Sequence, residues 1–487
     1  MATPTHGPFA GAYLASISVQ NLRCFGETQR LDLTTPDGGL ARWTLLLGDN
    51  GTGKTTLLQA MAACSLDDSA LHPDRSSEGE FTPRGFPEMP FAHRRLGPVI
   101  IDTELGATLH VQPTLGGARL RSVETHLILG GERPGLGYEA SSEVYELVSP
   151  AIMSSWFGYG PHRRLGRGTL SGKLTDPLAA VFGAEDPLVN AEEWYLQRDY
   201  ASSNKRLSKA AREHAAKTRD RLDALIRAVL PDVTGLAPVP SSSEVGQFRL
   251  VARTPYGEVP VSELGLGYQS TLAWVVDLAA RMMLAYPESD DPLAEPAVVL
   301  IDEIDLHLHP RWQRTLLAQL TERFPNTQFI ATAHSPLVVQ AAPDAHVAVL
   351  RRDGDQVVID QKLPSVRHWR VDQILTSELF GLPSARDVSL DARLAERDRL
   401  LAKPTLSAAD KARLDALREE LGTLPGGDTP WEMRAMEVIR RAASALEGSD
   451  NLRASGVRER GEAYRKAAPE APAVKRKLAT KSKRRAR

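Results

Sequence analysis

The stretch Gly48-Asp49-Asn50-Gly51-Thr52-Gly53-Lys54-Thr55 constrains this chain more than any other. It follows the strand-like stretch Trp43 to Leu47 and precedes Thr55 to Ala63, which reads as a helix. Glycines at these intervals let backbone N–H groups close around phosphate oxygens at a helix N-terminus, where the dipole favours negative charge. The eight residues match the Walker A pattern in full, so ATP and Mg²⁺ are the expected cofactors. Gly48, Asn50, Gly51, Gly53 and Thr56 are expected to line the nucleotide, Lys54 to reach its β- and γ-phosphates, and Thr55 to hold the metal.

An apolar run, Val298-Val299-Leu300-Ile301, ends in Asp302-Glu303. Four apolar residues bury a strand, and Asp302 emerges at its end to support Mg²⁺. Glu303 then stands where it can polarise an attacking water. Gln328 to Ala331 is a similar buried strand, and Arg311 to Arg323 between them reads as a helix. Elsewhere, strands are expected at Ala15 to Leu22, Gln29 to Leu33, Val99 to Asp102, Ala107 to Gln112 and Leu127 to Leu129. Two hairpins are expected, Phe248 to Val261 and Ala345 to Gln361, the second turning at Asp353-Gly354. Ser270 to Ala285 is an apolar helix, and further helices begin near Ser407 and Thr429. Residues 66 to 97, rich in Pro, Gly, Ser and charge, read as a surface insertion.

No apolar run approaches the roughly 18 residues that cross a bilayer, and residues 1 to 15 lack the layout of a secretory signal. A cytoplasmic protein without a membrane partner is expected. Its two cysteines, Cys24 and Cys64, support neither a disulfide framework nor a zinc site. The net charge of −2 is uneven, with eight basic residues and no acid between Lys475 and Arg487. Subtracting them leaves the rest of the chain near −10. The tail is either a solvated end or a nucleic-acid contact.

From Asp302 onward the sequence Asp-Glu-Ile-Asp-Leu-His-Leu-His-Pro resembles the Walker B and D-loop of ATP-binding-cassette (ABC) proteins of the SMC, RecF and OLD group. Phe329-Ile-Ala-Thr-Ala-His-Ser-Pro336 resembles that group's switch-histidine segment. The resemblance implies that Asp305 is the D-loop aspartate and that His334, with Glu303, serves hydrolysis by sensing the γ-phosphate. His307 and His309 read as packing or capping residues. Leu264-Gly265-Leu266-Gly267-Tyr268-Gln269-Ser270 is similar to the ABC signature, with Gly265 in place of the usual serine. Backbone N–H groups and Ser270 would remain as donors there. Arg23 matches an arginine that related ATPases use near the nucleotide, or is an ordinary surface arginine. Phe157 to Arg164 is either the loop that couples the helical lobe, without its glutamine, or a plain glycine-rich turn.

The implied fold is α/β, an ABC-ATPase (P-loop) fold with N-terminal antiparallel strands. A short helical lobe, about residues 176 to 230, is inserted between Walker A and Walker B. The implied ATPase domain covers 1–365, a helical cap or partner-docking region 366–448, and a basic tail 449–487. Cassette ATPases sandwich nucleotide between subunits, so a homodimer or higher even oligomer is expected. The spacing from Walker A to Walker B is too long for a transporter cassette, and the lobe too short for an SMC arm. The signature, Trp274-Val-Val-Asp-Leu278 and Trp369 to Leu382 resemble the ATPases of Septu anti-phage systems and their retron-linked relatives. That resemblance implies an associated HNH nuclease, with DNA met through the complex or the tail. The alternative is a RecF-like DNA-repair or OLD-like ATPase. Asp353-Gly354-Asp355 mimics the Asp-x-Asp of a TOPRIM nuclease, but it also makes a hairpin turn.

Overall fold

The computed structural model describes residues 11–63, 103–112, 122–129, 155–166, 176–240 and 248–421, apart from 21, 36–38, 184–187, 383–384, 386 and 404–405. The expected strand at Val99 to Asp102, the insertion at 66–97, the helix near Thr429 and the basic tail lie outside these residues.

Strands β1 (Gly11–Val19) and β2 (Gln29–Asp32) pair antiparallel, and β3 (Trp43–Gly48) runs into the glycine loop and helix α1 (Lys54–Ala63). β4 (Thr103–Gln112) and β5 (Ser122–Leu129) complete a four-stranded antiparallel sheet in the order β2-β1-β4-β5. β6 (Ser155–Tyr159) leads to the lobe, in which α2 (Ala191–Ser203) and α3 (Lys209–Val229) are followed by a three-stranded meander. The meander consists of β7 (Gly235–Pro240), β8 (Phe248–Thr254) and β9 (Gly257–Pro260). After α4 (Leu266–Ala285) come β10 (Ala297–Ile301), α5 (Pro310–Arg323), β11 (Thr327–Thr332) and α6 (Pro336–Ala341). The hairpin β12 (His346–Asp353) and β13 (Gln356–Asp360) closes the central sheet, whose order is β13-β12-β3-β11-β10-β6. All neighbours in that sheet are parallel except β12 and β13.

Parallel strands covered on both faces read as continuous apolar runs, and here the two faces are resolved by alternation. Leu45, Leu47, Val299, Ile301 and Phe329 enter one core with α4 and the lobe. Leu46, Val298, Leu300 and Ile330 enter another with α1 and the N-terminal sheet. Burying a side chain of this kind contributes about 1.5–3 kcal/mol relative to exposure. β11 also carries a buried polar residue, Gln328. Its amide accepts from Leu14 N at 2.9 Å and donates to Leu14 O at 2.8 Å, beside a register shift in β1. The side chain thus satisfies backbone groups that the bulge would leave unpaired.

The base of the lobe is tied to the sheet by Asp277 on α4, which is 1% exposed. Its carboxylate accepts from Val189 N (2.9 Å), Tyr159 Oη (3.0 Å) and Arg281 Nε (2.8 Å). Burial and the Asp277 charge together push the Tyr159 phenol far above its usual range.

The compact unit extends to Ala385, beyond the boundary at 365 read from sequence. Val366, Ile374 and Leu379 are buried in its core, and α7 (Val371–Leu375) belongs to it. The second unit begins at Arg386 and contains α8 (Val388–Leu401) and α9 (Ala408–Leu421). Ser407 and Asp410 exchange hydrogen bonds at the start of α9, a reciprocal cap at the expected helix start. Arg413 forks onto both oxygens of Glu396, at 2.7 Å each. Among the described residues, no helix is long and apolar enough to cross a membrane.

Candidate nucleotide site

Parallel pairing places the carboxyl ends of β3, β6, β10 and β11 along one edge, where ligands of open α/β sheets bind. The Walker A loop leaves β3 there. Gly48, Gly51 and Gly53 have φ of +139°, +78° and +84°, the left-handed region that only glycine enters freely. A Cβ on Gly48 would stand 2.4 Å from the Leu350 carbonyl oxygen, so the loop is seated directly on β12. The Lys54 ammonium donates to the carbonyls of Gly48 (2.8 Å) and Asp49 (2.9 Å), folding back over the loop. Burial lowers its pKa, and Asp302, Asp49, Glu303 and Asp305 oppose that shift.

Thr55, at the helix start, donates to Asp302 Oδ2 at 2.6 Å. Thr332, at the end of β11, donates to Asp302 Oδ1 at 2.6 Å, while its hydroxyl accepts from Glu303 N at 2.6 Å. One hydrogen-bonded chain therefore joins Walker A, both Walker B acids and the neighbouring strand. A hydroxyl and a carboxylate are the hard oxygen donors that Mg²⁺ takes. Together with the N–H cradle and Lys54, they fit a magnesium nucleoside triphosphate. Arg23, itself at φ +53°, donates to Thr56 Oγ1 (3.2 Å) and Gln59 Oε1 (3.0 Å) on α1. Its position is the flank of the Walker A helix rather than open surface.

Asp305 accepts from His334 N at 2.9 Å, so the D-loop and the switch segment are joined and the His334 side chain is exposed. His309 caps α5, its Nδ1 accepting from Arg311 N at 3.2 Å, while His307 turns the chain at φ +62°. Gln313 bridges the Leu308 carbonyl and the Ser335 hydroxyl, bracing the same turn. Asp353, Gly354 and Asp355 make the tight turn of the β12–β13 hairpin, with Gly354 at φ +61°.

The contacts of Gly265 to Ser270 run to the segment after Asp305. Gly267 lies so close to the His307 carbonyl that a Cβ would stand 2.4 Å from that oxygen, and Tyr268 packs on Trp312 at 5.1 Å. Gly265 is the N-cap of α4 and Leu266 is 66% exposed, which leaves the start of this helix facing solvent. Ser270 is buried in the first turns of α4. Gln269 spends its amide nitrogen on the carbonyls of Ser262 and Leu264. The α4 cap therefore presents backbone N–H groups. A Cβ on Gly265 would meet the Tyr268 ring at an ordinary contact distance of 4.0 Å. Gly265→Ser is expected to add a capping hydroxyl and a few tenths of a kcal/mol of stability. It is also expected to tighten ATP-dependent self-association, read by sedimentation at graded concentrations. An unchanged midpoint on both counts would mean that the backbone already supplies what the serine offers.

Two participants escaped the sequence reading. Thr332 lies inside the segment chosen for His334, and its hydroxyl at the carboxyl end of a buried strand is the signal that marks it. Arg163 lies in the glycine-rich loop after β6 and reaches Glu303.

The glycine loop between β3 and α1, the acids after β10 and the parallel sheet define an ABC-type P-loop fold. The AAA domain family described as putative AbiEii toxin, type IV TA system, matches residues 136–340, and a second AAA domain family matches 16–87. The chain is similar to Septu protein PtuA of Bacillus mycoides (strain KBAB4), 26% identical over 441 residues, or 88% of this chain and 53% of that protein. It is also similar to the Retron Vc95 probable ATPase of Vibrio cholerae serotype O1 biovar El Tor, 37% identical over 117 residues, 22% of this chain and 23% of that protein. The Retron Ec83 probable ATPase of Escherichia coli is 43% identical over 91 residues, covering 19% and 17% respectively. The matched region thus spans about half of the Septu protein and less of the retron proteins.

Proposed function

We propose that this chain binds and hydrolyses ATP, dimerises around the nucleotide, and governs an associated HNH-type nuclease in antiviral defence of the Septu kind. The observation that carries the reading is the chain of hydrogen bonds Thr55–Asp302–Thr332–Glu303, set at the Walker A loop. In this reading Lys54 supplies charge to the β- and γ-phosphates, while Thr55 and Asp302 hold the magnesium, which neutralises charge on the phosphates when bound. Glu303 orients the attacking water and accepts its proton. His334, projecting from the turn that Asp305 holds, meets the γ-phosphate. The exposed start of α4 offers its N–H groups to the nucleotide of a second copy.

The defence assignment follows the similarity to the Septu and retron proteins. The nuclease partner is the part most easily removed from this account. Coexpression with an HNH-type nuclease tests it. The full chain is expected to retain the nuclease through affinity purification, and a chain ending at Ala385 to bind ATP but lose it. Retention by the shorter chain would move the docking surface off the second unit. Failure of both would remove the nuclease from the proposal.

A further inference from the structure

The carboxyl edge of the sheet holds a buried charge that the reading above does not use. Gly160-Pro161-His162-Arg163 leaves β6, and Arg163 is 7% exposed. Its Nη2 donates to the Glu303 carbonyl at 2.6 Å, while Nε and Nη1 are enclosed without a hydrogen-bond partner among the described residues. Burial lowers its pKa to about 10, and the charges of Asp302, Glu303 and Asp305 pull it back upward. An enclosed guanidinium is costly unless opposite charge compensates it, and these three carboxylates supply that compensation. Arg163 is thus a buried cation held beside the acids.

The residue it grips is strained. Glu303 has φ +50°, a left-handed conformation that a non-glycine residue keeps only when its surroundings enforce it. Two clamps do so. Thr332 Oγ1 takes the Glu303 N–H from one side, and Arg163 holds the Glu303 carbonyl from the other. A side chain mounted on a strained backbone points where the clamps aim it, so removing one clamp frees the carboxylate to turn.

We infer that Arg163 is a positioning residue for hydrolysis: through the Glu303 carbonyl it fixes the turn that aims the Glu303 carboxylate, and its buried charge offsets the Asp302–Glu303–Asp305 cluster. The inference rests on the ATPase reading above. It separates rate from affinity, because Arg163 acts through the Glu303 carbonyl.

The test compares Arg163→Met and Arg163→Lys with the parent in the full-length chain. Measured for each are kcat, the Kd for Mg-ATP, melting temperature and amide exchange across Glu303 to Leu306. A misplaced catalytic group costs on the order of 100-fold in rate, so Arg163→Met is expected to lose roughly 30- to 100-fold in kcat. Arg163→Lys, which keeps the charge and a donor but not the fork, is expected to recover part of that loss. Both should keep Kd within about threefold of the parent, with faster exchange in the turn, since local opening follows the lost clamp. Parental kcat in Arg163→Met, or a Kd that weakens in step with kcat, overturns the inference. If Arg163→Met does not fold, Arg163→Lys decides alone, and parental kcat in it overturns the inference. A parent that binds but never hydrolyses ATP sinks the ATPase reading instead. Arg163 is then judged by exchange, with unchanged protection of the turn counting against it.

Discussion

Asp277→Ala is expected to cost about 3–5 kcal/mol of folding stability, the usual loss when one partner of a buried ion pair is removed. The carboxylate is 1% exposed and satisfies Arg281, Tyr159 and the Val189 amide at once. Its removal leaves a phenol and a backbone N–H without this acceptor inside the core, and takes the carboxylate away from the Arg281 guanidinium. The loss should be concentrated at the junction of α4, β6 and the lobe, because this side chain's hydrogen bonds join all three. Denaturant titration of the parent and Asp277→Ala gives the difference directly. A double variant, Asp277→Ala with Arg281→Leu, should recover part of it, since replacing both ions with apolar groups removes the uncompensated charge. A cost below about 1 kcal/mol, in the range of an exposed ion pair, would mean that solvent reaches this site and that the lobe is not tied through Asp277.

The parallel core was legible because burial on both faces favours apolar residues, so Val298–Ile301 stood out as an apolar run and Trp43–Leu47 as a strand with Thr44 its one polar residue. The Walker A loop was equally plain, its spacing being set by phosphate geometry. Other features were hidden for physical reasons. The helix α4 begins at Leu266 rather than near Ser270, because Gly267, which reads as a loop residue, is helical here and gives the His307 carbonyl its place. β7 holds Pro238 and Pro240, residues that argue against a strand, and it tolerates them as the edge of its three-stranded sheet. Thr332 and Arg163 act on partners about thirty and 140 positions away, Asp302 and the Glu303 carbonyl. Neither separation leaves a local pattern. The first core runs past residue 365, because Val366, Ile374 and Leu379 are buried in it and their spacing carries no mark of the unit they join.

The second large effect separates binding from hydrolysis. Lys54→Ala should abolish ATP binding, because the ammonium folded over the Gly48 and Asp49 carbonyls is the loop's own positive charge. Glu303→Gln removes only the proton acceptor. It keeps the backbone contacts to Thr332 and Arg163, so nucleotide should bind normally while turnover falls roughly 10²- to 10⁴-fold, the usual contribution of a positioned general base. If hydrolysis is what opens the paired state, Glu303→Gln should also accumulate in it. The decisive measurement is therefore the solution mass of Glu303→Gln by light scattering, with and without Mg-ATP, beside Lys54→Ala. The account predicts that Mg-ATP at least doubles the mass of Glu303→Gln and leaves Lys54→Ala unchanged. A mass of Glu303→Gln that ignores ATP, or a Lys54→Ala chain that responds to it equally, would contradict an ATPase that closes around its nucleotide.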